Sequence, residues 1–232
     1  MIPWLAPTDD FPPATRALRE PDGLLAAGGE LTPAFVAKAY RHGIFPWYSP
    51  GQPVLWWSPD PRMVLAPSEL RVSRSLRKRL RRRNYEIRTD TSFETVMRAC
   101  AAPRDGQSGT WIDEAMVSAY CGLHREGRAH SVETWVDGQL VGGLYGVSLG
   151  LAFFGESMFT RMPDASKIAL VHLARQLDRW GYGLIDCQMT TSHLASLGAM
   201  EMPRADFLRK LASLVDYPRE PGLWRFDDDL SE

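Results

Sequence analysis

The stretch Leu184-Ile185-Asp186-Cys187-Gln188 puts a carboxylate and an amide at the end of an apolar run. Strand side chains alternate with a period of two, so Asp186 and Gln188 are expected to share a face. Cys187 is expected to point the other way, into the core. Polar groups at the end of a buried strand are costly without partners, and in a cleft they mark a candidate site. The plainer alternative is an aspartate that caps the following turn. A second carboxylate, Glu156, interrupts the run from Ala152 to Phe159. Gly155 before it is expected to admit a close neighbour. Phe154, Glu156 and Met158 share one face there, unless a bulge at Gly155 changes the register. The alternative is an edge strand with Glu156 in water.

A third feature is cationic. Arg71 to Arg83 holds seven Arg and one Lys without an acid. The whole chain has a formal charge of −1, which leaves −9 for the rest. A helix is expected over Ser73–Arg83, with Leu76 and Leu80 inward and Arg74, Arg77, Lys78, Arg81 and Arg82 in a broad stripe. So many like charges suggest a polyanion, held at its phosphates without base specificity. Trp47, Tyr48, Trp56, Trp57 and Trp111 offer a stacking surface, with Trp56 or Trp57 assigned to packing.

These residues need elements to hold them. Thr32 to Gly43 has an N-cap, a Pro in the first turn and a C-terminal Gly, the marks of a short helix. A strand is expected at 53–58, within a Pro/Trp-rich N-terminal domain covering 1–60. The main domain, 61–232, starts with a strand at Arg62 and continues with a strand at 85–90. Helices follow over 92–102 and 110–127. Asp137-Gly138 reads as a hairpin turn within a run of β segments. A strand over 151–159, a helix over 167–180, the strand at 183–188, a short helix or turn over 189–198 and a closing helix over 204–214 complete it. The acidic C-terminal tail is expected to be loose. The fold class is mixed α/β (α+β) around a largely antiparallel sheet. The absence of a GxGxxG motif argues against a Rossmann unit.

Composition excludes several classes. At 44% hydrophobic and 24% charged, the chain is ordinary for a globular protein. The N-terminus lacks the pattern of a signal peptide, and the uncharged run 140–155 carries five glycines, unsuited to a membrane helix. Three cysteines without a CxxC motif read as thiols of a cytoplasmic protein. Five histidines without ligand spacing argue against a metal site.

Several motifs together resemble one family. They are GLLAAGGELTP (23–33), GIFPWYSPGQPVLWWSPDPR (43–62), GTWI (109–112), AHSVETW (129–135), LVGGLYGV (140–147), GESMFTRMPDASK (155–167), LIDCQ (184–188) and HLASLGA (193–199). The sequence resembles the leucyl/phenylalanyl-tRNA–protein transferases over almost its whole length. The resemblance implies a GNAT-like acyltransferase domain behind a small N-terminal domain. It implies transfer of Leu or Phe, less readily Met, from aminoacyl-tRNA to the N-terminal amine of proteins that begin with Arg or Lys. The product is marked for N-end-rule degradation, and no cofactor or metal takes part. The resemblance places Asp186, Gln188 and Glu156 at the reaction centre and Trp47 and Trp111 on the terminal adenosine. It lines the aminoacyl pocket with Leu144, Phe153, Met158, Leu170, Leu173 and Ile185. On this reading Asp186 orients Gln188, Gln188 positions the attacking amine, and Glu156 holds the cationic acceptor. A monomer suffices, with no membrane association.

Two other readings compete. An acetyl-CoA-dependent acetyltransferase needs a glycine-rich pyrophosphate loop, yet Arg161 to Ser166 carries Asp164 and Ser166 at the glycine positions, and Asp164 is expected to repel pyrophosphate. A non-enzymatic RNA-binding module would not need carboxylates facing a polyanion.

Overall fold

Short Pro- and Gly-punctuated segments open the chain and build a sheet of their own. The computed structural model describes residues 1–102 and 111–231. β1 (Trp4–Leu5), β2 (Leu24–Gly28), β3 (Phe45–Pro46) and β4 (Leu55–Trp57) pair in the order β1-β2-β4-β3. Between β2 and β3 lies α1 (Pro33–Arg41), where the Thr32 hydroxyl accepts the Phe35 N–H at 3.2 Å. Gly43, at φ +70°, ends the helix as its position predicts. The expected strand is β4; β1 to β3 are too short to show a hydrophobic period.

The rest of the chain runs β5 (Arg62–Leu65), α2 (Arg74–Leu80), β6 (Glu86–Thr89), α3 (Phe93–Ala101), α4 (Glu114–Arg125), β7 (Ala129–Val136), β8 (Gln139–Leu149), β9 (Ala152–Thr160), α5 (Ala165–Arg179), β10 (Leu184–Gln188), α6 (Ser192–Ser196), β11 (Met200–Met202), α7 (Arg204–Ala212) and α8 (Asp228–Ser231). Seven strands form one sheet in the order β11-β5-β10-β9-β8-β7-β6. Only β9 and β10 run parallel in it, and α5 is the crossover that such a pair requires. The mixed, largely antiparallel α/β fold is therefore as expected. Asp137 and Gly138, at φ +50° and +72°, form the two-residue turn between β7 and β8.

Alternating residues feed two cores. Phe154, Tyr145 and Leu184 join α1, α3 and α4 on one face; Phe153, Leu144 and Ile185 join α5 on the other. Residues 1–60 share the first of these cores through Phe35, Tyr40 and Trp56, so their sheet does not stand apart from α3 and α4.

Three expectations need correction. The basic helix stops at Leu80: Arg81 is its C-cap, Arg82 lies beyond, and Arg83 has left-handed backbone (φ +48°). α4 starts at Glu114, because the Asp113 carboxylate accepts the Met116 N–H at 2.9 Å and caps it there. Residues 103–110, expected to form a loop and the start of this helix, lie outside the described residues. The C-terminal tail is not loose. Trp224, Phe226 and Leu230 are buried, Trp224 stacks on His130 at 3.9 Å, and Arg179 binds Asp227 and Asp229. Apolar anchors among the acids hold it down.

Candidate active site

The site opens where two parallel strands part. β9 and β10 pair from Ala152↔Leu184 to Phe154↔Asp186 and no further. Both strands lose register there. On β9 the pairing with β8 passes from Gly146↔Gly155 to Tyr145↔Ser157, which leaves Glu156 as the extra residue of a bulge. On β10 the pairing with β5 shifts between Asp186 and Gln188, and Gln188 has φ +63°. The simple alternation expected for both strands therefore fails at the residues of interest. Met158 joins Phe153 in the second core, while Phe154 lies in the first. The close approach expected at Gly155 occurs at Gly146, where a Cβ would meet the Phe154 carbonyl oxygen at 2.2 Å; at Gly155 the contact would be an ordinary 3.6 Å.

Glu156 is half-buried on a central strand, not on an edge. Its Oε1 accepts the Tyr40 hydroxyl at 2.6 Å and the Gln188 amide at 2.6 Å; its Oε2 accepts the Tyr120 hydroxyl at 3.1 Å. The two phenols also meet each other at 2.5 Å. Burial pushes the Glu156 carboxyl up to about 7, and the Asp186 charge adds to this against the hydrogen bonds from Tyr40, Tyr120 and Gln188. Burial also holds both phenols well above their usual range, so they stay protonated as donors.

Asp186 is fully buried beneath this network. Arg62 grips it at both oxygens, Nε to Oδ1 at 2.8 Å and Nη2 to Oδ2 at 2.7 Å. The guanidinium lies between the rings of Phe45 and Phe207, 4.7 Å from each centroid. Asp186 Oδ1 also accepts the backbone N–H of Gln188 at 2.9 Å. The two residues are thus linked, but not as expected: Asp186 holds the Gln188 backbone, and Glu156 holds its amide.

All six apolar residues placed in the aminoacyl pocket line one cavity of about 330 Å³, with Glu156 and Gln188 at its wall. Thr191, His193, Leu194 and Leu197 close it from α6 and its two caps and were not foreseen. Cys187 lines this cavity rather than lying wholly in the core, because the β10 bulge turns the strand end. Burial raises its thiol to about 12, so it is no nucleophile at neutral pH. Sequence reasoning also missed Arg62, Tyr40 and Tyr120. The charged residue opening the apolar strand at 62–65 was the one available signal.

The other predicted residues lie around this centre. Trp56 is core, with its indole N–H donating to the Gly28 carbonyl at 2.8 Å. Trp47 is exposed and packs edge-on to Trp57 at 5.5 Å. Trp111 is half-buried, and a Tyr48–Asp113 hydrogen bond of 2.8 Å ties the two tryptophan-bearing segments together. Arg74, Arg77, Lys78 and Arg81 line one surface groove, while Arg82 is exposed outside it. Asp164 does not stand as a free anion, since it pairs with Arg79 at 3.0 Å and Lys167 at 3.3 Å. No group of three or more His, Cys, Asp or Glu suited to a metal occurs among the described residues.

The site is thus an apolar cavity with a titratable carboxyl and an amide at its wall, set where a mixed sheet opens. The model of the leucyl/phenylalanyl-tRNA protein transferase family matches residues 64–212, and that of its N-terminal domain matches 29–60. Relatives named leucyl/phenylalanyl-tRNA–protein transferase include those of Nitrosospira multiformis (62% identical, all of both chains) and Nitrosomonas europaea (62%, 98% of this chain and 96% of the relative). That of Thiobacillus denitrificans is 63% identical over 94% of this chain and 95% of its own. The chain belongs to the leucyl/phenylalanyl-tRNA–protein transferase family. Among solved structures, a GCN5-related N-acetyltransferase from Kribbella flavida aligns at 13% identity and a TM-score of 0.38, covering 74% of this chain and 61% of its own.

Proposed function

We propose that this enzyme moves Leu or Phe, and Met less readily, from aminoacyl-tRNA to the α-amine of proteins that begin with Arg or Lys. The product then enters N-end-rule degradation. The observation that carries this reading is the meeting of Glu156 and Gln188 at the wall of the apolar cavity. The aminoacyl side chain fills the cavity through Leu144, Phe153, Met158, Leu170, Leu173 and Ile185. Trp47 and Trp111 hold the terminal adenosine, and Arg74, Arg77, Lys78, Arg81 and Arg82 hold the tRNA backbone. Residues 1–60 act as the N-terminal domain and 61–232 as the catalytic one, in a cytoplasmic monomer.

The chemistry follows from the contacts. The acceptor arrives as an ammonium, with an ordinary pKa of about 8. Asp186 is already paired with Arg62, so Glu156 is the carboxylate left to receive that charge. A carboxyl poised near 7 can bind the ammonium and take its proton at neutral pH. Gln188 is too weak a base for that step, and its amide instead orients Glu156 and the incoming nitrogen. The amine attacks the ester carbonyl, the N–C bond forms, and the C–O bond to ribose breaks. The nitrogen gives up two protons in all, one to Glu156 and one to the leaving ribose oxygen.

The test is transfer of labelled Leu from Leu-tRNA to a peptide starting with Arg, beside one starting with Asp, with acetyl-CoA as a control donor. Transfer to the Arg peptide alone is expected. Equal transfer to both peptides, or acetylation, would overturn the reading.

A further inference from the structure

We propose that the cleft beside the aminoacyl cavity binds the phosphodiester backbone of the donor's last single-stranded nucleotides, through Arg161 and Lys167. The cleft holds about 570 Å³ between the end of β9, the end of α3 and the first turn of α5. It shares Met158 and His193 with the aminoacyl cavity, so the two lie side by side. Lys167 stands three residues before Leu170 on α5, on the same face and one turn away, about 5 Å along the axis. An RNA strand whose 3′ ester sits at the cavity mouth meets these cations with its first phosphates.

The charges suit RNA and not the other substrate. Arg161 is exposed, spends one N–H on the Leu140 carbonyl at 3.3 Å, and makes no ion pair among the described residues. Asp164, the acid of the cleft, is already shared by Lys167 and Arg79. Two cations line the cleft against one carboxylate, which Arg79 also pairs from α2, so the cleft is left positive; that repels an acceptor beginning with Arg or Lys and attracts phosphate. Arg79 belongs to α2, whose Arg74, Arg77, Lys78 and Arg81 line the neighbouring surface groove. The cations therefore run from the cleft to the basic helix through the one carboxylate, Asp164, that Lys167 and Arg79 share, a track for a backbone read by charge.

This proposal rests on the assignment of the cavity to the aminoacyl side chain. Three donors separate the two claims: full-length Leu-tRNA, a 3′-leucyl trinucleotide, and 3′-leucyl-adenosine, which has no phosphate. In R161A/K167A, kcat/KM for the trinucleotide is expected to fall about tenfold relative to leucyl-adenosine, the size of one charged hydrogen bond or more. The log–log salt dependence for the trinucleotide should flatten by roughly 0.7 for each phosphate that the variant no longer neutralises. An R77A/K78A variant should weaken full-length tRNA but not the trinucleotide. Equal reductions for trinucleotide and leucyl-adenosine in R161A/K167A, or an unchanged salt dependence, would overturn the proposal. Leu173→Trp, which fills the cavity, should depress all three donors alike; if it does not, the cavity assignment has failed and the cleft must be judged on trinucleotide binding to R161A/K167A alone.

Discussion

Arg62 and Asp186, 124 residues apart in the chain, close on each other as a fully buried bidentate ion pair beneath the Glu156–Gln188 contact. Asp186 is the last residue of β10 that pairs with β9, and it also holds the backbone N–H of Gln188. The pair therefore anchors the strand end at the point where the sheet opens. Through that hydrogen bond Asp186 holds the backbone of Gln188 in place.

Breaking this pair on one side leaves a buried charge alone. Arg62→Met should cost about 3–5 kcal/mol of stability. The double change R62M/D186L removes both charges and should recover much of that loss, yet stay inactive because Gln188 loses its backbone acceptor. Urea unfolding beside a transfer assay checks both halves. Full activity in the double variant would contradict the positioning role.

Gln188→Ala removes the amide that meets Glu156 and leaves the basic helix untouched. A misplaced reacting group can cost about 100-fold, so kcat should drop by that order while the tRNA dissociation constant holds. Single-turnover kinetics with separate filter binding distinguishes the two quantities. Parallel losses would point to a binding role.

Glu156 sets a pH limb. Its carboxyl titrates near 7; on the proposed mechanism the ionised form receives the acceptor, so kcat/KM should rise as pH climbs through that value. The Tyr40 hydrogen bond lowers this pKa; Tyr40→Phe should therefore move the limb to higher pH. Glu156→Gln should abolish the limb along with most of the activity. A limb that stays in place in Tyr40→Phe would assign it to another group.

Leu144 lies across from Met158 on neighbouring strands, and both line the cavity. Leu144→Ala enlarges the space and should shift preference from Leu towards Phe, by an amount bounded at about 1–3 kcal/mol. Competition between Leu-tRNA and Phe-tRNA measures the ratio. A shift towards Leu would mean that the cavity collapses around the smaller side chain.

Much of this architecture is legible in local sequence. The Thr32 cap, the Asp137-Gly138 turn and the alternation of Phe153 with Phe154 depend on neighbours within a few residues, so the chain declares them by itself. Asp186, Gln188 and Glu156 are conspicuous because polar groups inside apolar runs demand an explanation. What each of them binds is not legible. Tyr40 reaches Glu156 across 116 positions, and Arg62 reaches Asp186 across 124. No periodicity spans such separations; the sheet order lays β5 beside β10 and so brings Arg62 to Asp186, and the packing of α1 on β9, Tyr40 against Phe154 at 4.8 Å, brings Tyr40 to Glu156. The two bulges decide the rest. Each adds a residue without a partner, a cost that a one-dimensional pattern does not record, and each turns a side chain away from the face that alternation assigns to it. The sequence thus determined which residues had to find partners, and the tertiary structure decided which partners they found.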